Sequence, residues 1–273
     1  MVVLAWRAWF VSWGWACAMV VPTHGLAQAA LPEARPRAVI GAEDDAAPWS
    51  YADGSGYVND VVRAAFERSG WLVEFKVMPY ARCKALASSG KLLACFSTSK
   101  TPALQAQLLY PVHPVFSASN LLVGRADSGL SGCDPARWPR PLRIGRVAGY
   151  EYRPAVDALF SQPQIHADDA QSEVNNLRKL QARRIDAALV TVDAVKRLDF
   201  IAAQAGVSGT FTTICDFGSE HAYIAFSRRH PVSQRARQAF EAGFEQLRKE
   251  GHIAKLQALW RAKLLDRVKA KAH

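Results

Sequence analysis

Beyond residue 30 the chain lacks any apolar run approaching the roughly 20 residues that a membrane-spanning helix needs, so that stretch reads as an aqueous protein. It has no C-x-x-C pair and no histidine beside a cysteine, which argues against a zinc site. A glycine-rich phosphate loop, H-E-x-x-H and a Ser/His/Asp pattern are missing too, so no familiar catalytic motif points to an enzyme. Low-complexity stretches are absent. Acids are short relative to bases: 24 Asp and Glu against 34 Lys and Arg leave a net charge of +10. That balance favours anionic solutes or an anionic surface. Against this, part of the excess sits in one solvated tail, at Arg261, Lys263, Arg267, Lys269 and Lys271. No nucleic-acid motif accompanies the charge, and no nucleic-acid partner is expected.

The first 29 residues differ from the rest. Arg7 is the one charge near the start, Ala8 to Val21 is a short apolar stretch, and Ala27-Gln28-Ala29 supplies small residues at signal-peptidase spacing. This is the layout of a secretory signal, with cleavage expected after Ala29 or Ala27 and a periplasmic destination. Removing it takes away Cys17 and leaves Cys83, Cys95, Cys133 and Cys215. An even number of cysteines suits an oxidising compartment. Four cysteines allow three pairings, and spacing alone leaves them open.

From Val39 onward, short apolar runs alternate with amphipathic patterns. Val58, Val61, Val62, Ala65 and Phe66 recur at helical spacing before Gly70, while Trp71, Val73, Phe75 and Val77 alternate as in a strand. Ala81 to Ser89 reads as a helix closed by Gly90, and Leu92 to Ser97 as a strand. The β-α-β-α-β order predicts an α/β fold with a mostly parallel sheet flanked by helices. After a loop-like stretch from Gly124 to Pro141 the theme repeats. Leu142 to Val147 is a strand, Val174, Leu177 and Leu180 mark a helix, and Ile185 to Val190 is another strand. Val192, Val195, Leu198 and Ala202 form a further helical stripe before Gly206. Ala222 to Phe226 is a short apolar run. Closing helices carry Ala236, Phe240, Phe244 and Leu247, then Ile253, Leu256, Leu259, Trp260 and Leu264. Such units host many activities, so the pattern by itself assigns none.

Several short segments stand in a telling order. Ala47-Pro48-Trp49-Ser50-Tyr51 precedes Asp53-Gly54, Gly56 and Asp60. Leu86 to Ala94 is close to an L-x-x-G-x-x-D-A segment, with Leu93 where the acid is usual. Leu177 to Ala187 is close to its counterpart, with Asp186 present, and Leu247 to Trp260 is close to a closing L-x-x-x-G-x-x-x-x-I helix. Together, from about Arg37 to Leu264, they resemble the bacterial extracellular solute-binding proteins of family 3. The resemblance implies a two-lobed type II periplasmic binding protein with a ligand cleft between the lobes. Residues about 30–120 and 224–273 would form lobe one, and 121–223 lobe two. It also implies bridges within each lobe, Cys83–Cys95 and Cys133–Cys215, which leave the hinge free. A small polar solute and a membrane ABC transporter permease are the implied partners, for a monomer with no cofactor and no metal.

The resemblance also makes two absences informative. In amino-acid-binding members an arginine clamps the α-carboxylate, and Leu104 stands at its position. The acid for the α-ammonium is replaced by Thr191, with Asp193 two residues late. Arginine's bidentate fork is hard to replace, so an ordinary α-amino acid is disfavoured as ligand. Arg82 or Lys100 would have to serve a displaced anion site. Trp49 is expected to stack on a planar or cationic solute, or else to belong to the core. Tyr51 and Tyr80 are weaker candidates. Ser97 and Thr98 end a strand at its carboxyl edge, where open α/β sheets place ligands. Gly149-Tyr150-Glu151-Tyr152 forms a strand-to-helix turn whose N–H groups suit an anion, and whose Glu151 suits a cation. Glu43 ends the first strand, in an acidic run with Asp44 and Asp45. An exported dehydratase-like enzyme using Glu43, Glu151 or His221 is the rival reading, and a sensory partner of a membrane receptor is another. No motif singles out those three residues, so the expectation is a non-enzymatic protein.

Overall fold

The computed structural model describes Val2 and residues 34–138, 141–207 and 211–272, with side chains as far as Leu264. Apart from Val2, the candidate signal segment lies outside the described residues. The chain divides into a unit of residues 1–34 and a unit of residues 35–273. Every strand and helix among the described residues falls in the second.

Strand β1 (Arg37–Glu43) is buried at nearly every position from Ala38, as expected of a parallel strand covered on both faces. A two-residue pair, β2 (Asp45–Ala46) and β3 (Ser50–Tyr51), follows it. Helix α1 (Tyr57–Arg68) buries Val58, Val61, Val62, Ala65 and Phe66 on one face. Then come β4 (Leu72–Met78), α2 (Tyr80–Ser89) and β5 (Ala94–Thr98). Both β4 and β5 lie parallel to β1. After α3 (Pro102–Gln105) and β6 (Leu108–Leu109), the ten-residue β7 (Phe116–Arg125) leads out of this layer.

The second layer comprises β8 (Leu142–Val147), α4 (Pro154–Phe160), β9 (Ile165–Ala170), α5 (Glu173–Gln181), β10 (Ala187–Val192) and α6 (Leu198–Ala205). Strands β10, β8 and β9 are parallel neighbours. The seventeen-residue β11 (Phe211–Ser227) then pairs antiparallel with β7 along one stretch and with β5 and β6 along the other. The resulting order is β4-β1-β5-β11-β7-β10-β8-β9, with β6 beside β11. Helices α7 (Ser233–Lys249) and α8 (His252–Ala272) return to pack on α1. Two lobes result, joined by the β7–β11 ribbon.

Each lobe has its own core. In the first, Phe66 meets Phe226 and Phe240 at ring-centroid distances of 6.3 and 5.6 Å. In the second, β7 sends Leu122 to one sheet face, with Leu142, Ile144 and Leu189. Its next residue, Val123, goes to the other face with Leu177, Leu180 and Ile201. Cys83–Cys95 ties α2 to β5, and Cys133–Cys215 ties the segment after β7 to β11. These are the pairings the resemblance implied.

Two features differ from the sequence reading. The stretch from Phe116 to Arg125 is a strand, so the loop between the α/β blocks begins after Arg125 rather than at Gly124. Val192 ends β10, and α6 starts only at Leu198. Asp193 explains the delay: its Oδ1 accepts from the N–H groups of Val195 and Lys196, at 2.7 and 2.6 Å, which holds a turn in place of a helix start. The short apolar run Ala222 to Phe226 is the tail of the seventeen-residue β11.

Candidate ligand-binding cleft

The cleft lies where the carboxyl ends of β1 and β5, the loop after β8, and the β7–β11 ribbon converge. The space between its walls is about 510 Å³ when the open solvent at its mouth is included, of which about 60 Å³ is free to the centres of water-sized molecules. Carboxyl ends of parallel strands are where α/β folds place ligands. Glu43, Trp49, Tyr80, Ser97, Tyr150, Glu151 and Thr191, all anticipated, line it.

Glu43 is 7% exposed. Its Oε1 accepts a 2.7 Å hydrogen bond from the Tyr150 hydroxyl. Burial pushes this carboxyl up to about 7, although Tyr150 and Lys196 pull the other way. Tyr80 makes the reciprocal contact: its hydroxyl donates to Glu151 Oε2 at 2.7 Å. Burial holds both phenols well above their ordinary range, so both serve as O–H donors. Lys84 pairs with Glu151 and donates to the Gly149 carbonyl at 2.6 Å. Gly149 has φ +81°, and a Cβ there would sit 3.0 Å from that of Ala81. A larger residue would therefore be strained and would hold the lobes apart at this point.

Trp49 is 4% exposed. Its indole N–H donates to Asp193 Oδ2 at 3.0 Å. The ring lies 4.6 Å from that of Phe116, and Lys196 Nζ sits 4.1 Å from its centroid. Lys196 is itself buried in an ion pair with Glu173. Glu173 also accepts from the Thr191 N–H at 2.7 Å. Trp49 is thus fixed from three directions, and Asp193 holds it rather than facing the cleft. Ser97 has a left-handed φ of 61°, rare for a residue with a side chain. Its Oγ is buried and has no hydrogen-bond partner among the described residues.

Other candidates lie outside the lining. Arg82 is exposed on α2. Lys100 is exposed too, its Nζ 5.6 Å from the Tyr223 ring and 5.9 Å from that of Tyr110. Tyr51 stacks on Trp260 at 6.2 Å. Thr98 is buried and donates to the Cys95 carbonyl at 3.3 Å. The Tyr152 hydroxyl accepts from the Val147 N–H at 2.9 Å.

The ribbon supplies what sequence reasoning missed: Phe116, Ala118 and Asn120 from β7, and Glu220 and Ala222 from β11, with Ser99 beside them; His221, named only under the enzyme reading, lines the cleft as well. A signal was present. Residues 116, 118 and 120 recur with the period of two that sends strand side chains to one face. Glu220 is hydrogen-bonded to Asn120, and burial nevertheless pushes its carboxyl above the ordinary range. Among the described residues, no lysine or arginine lines the cleft, and no cluster of three or more His, Cys, Asp or Glu is placed to hold a metal ion.

Solved structures with this architecture are numerous. An ancestral arginine-binding protein bound to arginine has a TM-score of 0.69 and 19% identity, covering 83% of this chain and 98% of that one. An ABC uptake transporter substrate-binding protein from Streptococcus pneumoniae with bound histidine has a TM-score of 0.67 and 18% identity, covering 82% and 92%. A histidine kinase sensor domain similar to periplasmic binding proteins has a TM-score of 0.69 and 20% identity, covering 83% and 96%. At these identities the likeness establishes the two-lobed fold. No curated protein matches the chain in sequence. The family model for bacterial extracellular solute-binding proteins, family 3, matches residues 38–263. The match spans both lobes and the cleft between them, and the chain belongs to that family.

Proposed function

We propose that this protein is a periplasmic, monomeric solute-binding protein that captures a small polar molecule by hinge closure and delivers it to an ABC-type uptake transporter. Lobe one comprises residues about 30–120 and 224–273, and lobe two residues 121–223. The ligand contacts Glu43, Trp49, Tyr80, Ser97, Tyr150, Glu151 and Thr191, together with Asn120 and Glu220 of the ribbon. The observation that carries this reading is the reciprocal pair at the cleft. Tyr80 and Lys84 reach Glu151 from one lobe, while Tyr150 reaches Glu43 from the other. Such contacts form when the lobes close and break when they open, which is how hinge binding proteins trap solutes.

A thermal-shift screen of the chain, stripped of carried-over solute, tests it with amino acids, carboxylates, polyamines, aromatic acids and small osmolytes. A solute at 100 times its Kd adds about 2.7 kcal/mol, and at least one compound should raise Tm visibly. Silence across the panel counts against solute capture. Delivery is tested in cells lacking the protein: uptake of the identified solute should fall. Loss of a signalling response with uptake intact would favour a sensory role instead.

A further inference from the structure

The cleft's own charges say which solute it is built for. Two acids near it are neutralised inside the protein, Glu151 by Lys84 and Glu173 by Lys196. A third, Asp193, is occupied by the Trp49 indole and two backbone N–H groups. That leaves Glu43 and Glu220 lining the cleft, with no lysine or arginine among the described lining residues to balance them. Glu43 accepts from the Tyr150 hydroxyl and Glu220 is hydrogen-bonded to Asn120. The cations that act on these acids from behind the lining are already engaged: Lys196 with Glu173, Lys84 with Glu151, and Arg153 with the Ser219 carbonyl. An anion enclosed here would lose its water and meet two acids, with no lysine or arginine of the described lining to pair with it. A cation would gain two carboxylates and the aromatic faces of the cleft. The buried Ser97 Oγ, without a partner among the described residues, adds a hydroxyl able to accept from an N–H donor.

We propose that the cleft takes a small organic cation bearing no carboxylate, an amine or amidine neutralised by Glu43 and Glu220. This rests on the solute-binding reading and gives it a ligand class. The missing arginine at Leu104 becomes intelligible, because such a solute brings no carboxylate to clamp.

The proposal carries a pH signature. Glu43 is faced by Tyr150 from the loop after β8, by Lys196 and Glu173 from beside β10 and α5, by Tyr80 and Lys84 from α2, and by its neighbour Asp44. With its carboxyl at about 7, a cation must draw off the proton that Glu43 holds at acid pH. Affinity therefore rises with pH, about tenfold per unit below 7, and levels off above it.

The test is calorimetric titration of the full chain with matched pairs: agmatine against arginine, cadaverine against lysine, tyramine against tyrosine. At pH 7.5 at least one amine should bind, its parent amino acid at least tenfold more weakly. E43Q and E220Q should each weaken that amine at least tenfold while retaining a cooperative thermal transition, and E43Q should remove the part of the pH dependence centred near 7. A parent that binds as tightly as its amine overturns the ligand class. So does binding of an anion, or unchanged affinity in both variants. If solutes of another class bind and no amine does, the ligand class falls and solute capture stands. If nothing in the wider screen binds, both fall.

Discussion

Glu43 shows how one residue links folding to environment. Its carboxyl is held at about 7, against an ordinary 4.5, chiefly by burial. An acid that is harder to ionise in the folded state than in the unfolded one holds its proton preferentially when folded. Its favourable contribution is complete below pH 4.5 and declines as pH rises to 7, after which it is flat. The unliganded protein should lose roughly 3 kcal/mol between pH 4.5 and 7.5 from this group. Glu43→Gln should flatten that part of the profile. Thermal denaturation across the range checks it; a variant whose profile keeps the wild-type slope would remove Glu43 as the cause. Its position at the end of the first strand was legible in the sequence, and so were Trp49, Tyr80 and Tyr150. Their partners were not. Asp193 stands 144 residues from Trp49, and only the folded chain brings them within 3.0 Å. Arg82 and Lys100 are exposed and lie outside the cleft lining, since a position near the cleft in sequence does not fix which way a side chain leaves its element.

At the scale of elements, legibility followed the strength of the hydrophobic period. Helix α1 and strand β1 have strong, buried patterns and were readable. Strand β7 begins Phe-Ser-Ala-Ser-Asn, mostly small and polar, and this end is shared between the edge of the first lobe's core and the cleft. Fewer core contacts there leave a weaker apolar signal. The α6 stripe failed differently: Val192 and Val195 are apolar at helical spacing, but the Asp193 side chain satisfies the backbone in a turn before a helix can start. Close packing yields the next prediction. Gly243 on α7 crosses α1 so tightly that a Cβ would sit 1.9 Å from the Ala65 carbonyl oxygen. Gly243→Ala must therefore separate the two helices and should cost about 2 kcal/mol or more, despite alanine's better helix propensity. Urea denaturation measures it. An unchanged midpoint would mean that α1 and α7 yield there freely.

For the whole molecule, Tyr80 and Lys84 meet Glu151, and Tyr150 meets Glu43, across the cleft. On the proposed reading these side chains help to hold the closed form, and a cationic ligand competes with Tyr150 for Glu43. Y80F and Y150F together remove both hydroxyl latches while keeping the rings. Small-angle scattering of the unliganded double variant should give a larger radius of gyration than wild type. An unchanged radius would show that the hydroxyls are not needed, closure being held by the remaining contacts of Lys84 with Glu151 and the Gly149 carbonyl and of Trp49 with Asp193.

Strands β7 and β11 both join the lobes and carry Phe116, Ala118, Asn120, Glu220 and Ala222 into the cleft. With the joint also serving as a wall, departure of the solute acquires an order. Points near a pivot travel least when two bodies swing apart, so Glu43 would withdraw before the ribbon residues and before Trp49, which packs on Phe116. The solute would then remain perched on the ribbon, held by Glu220 and Asn120, before leaving. Escape would be a two-step process whose slower step belongs to the axle and not to the jaws.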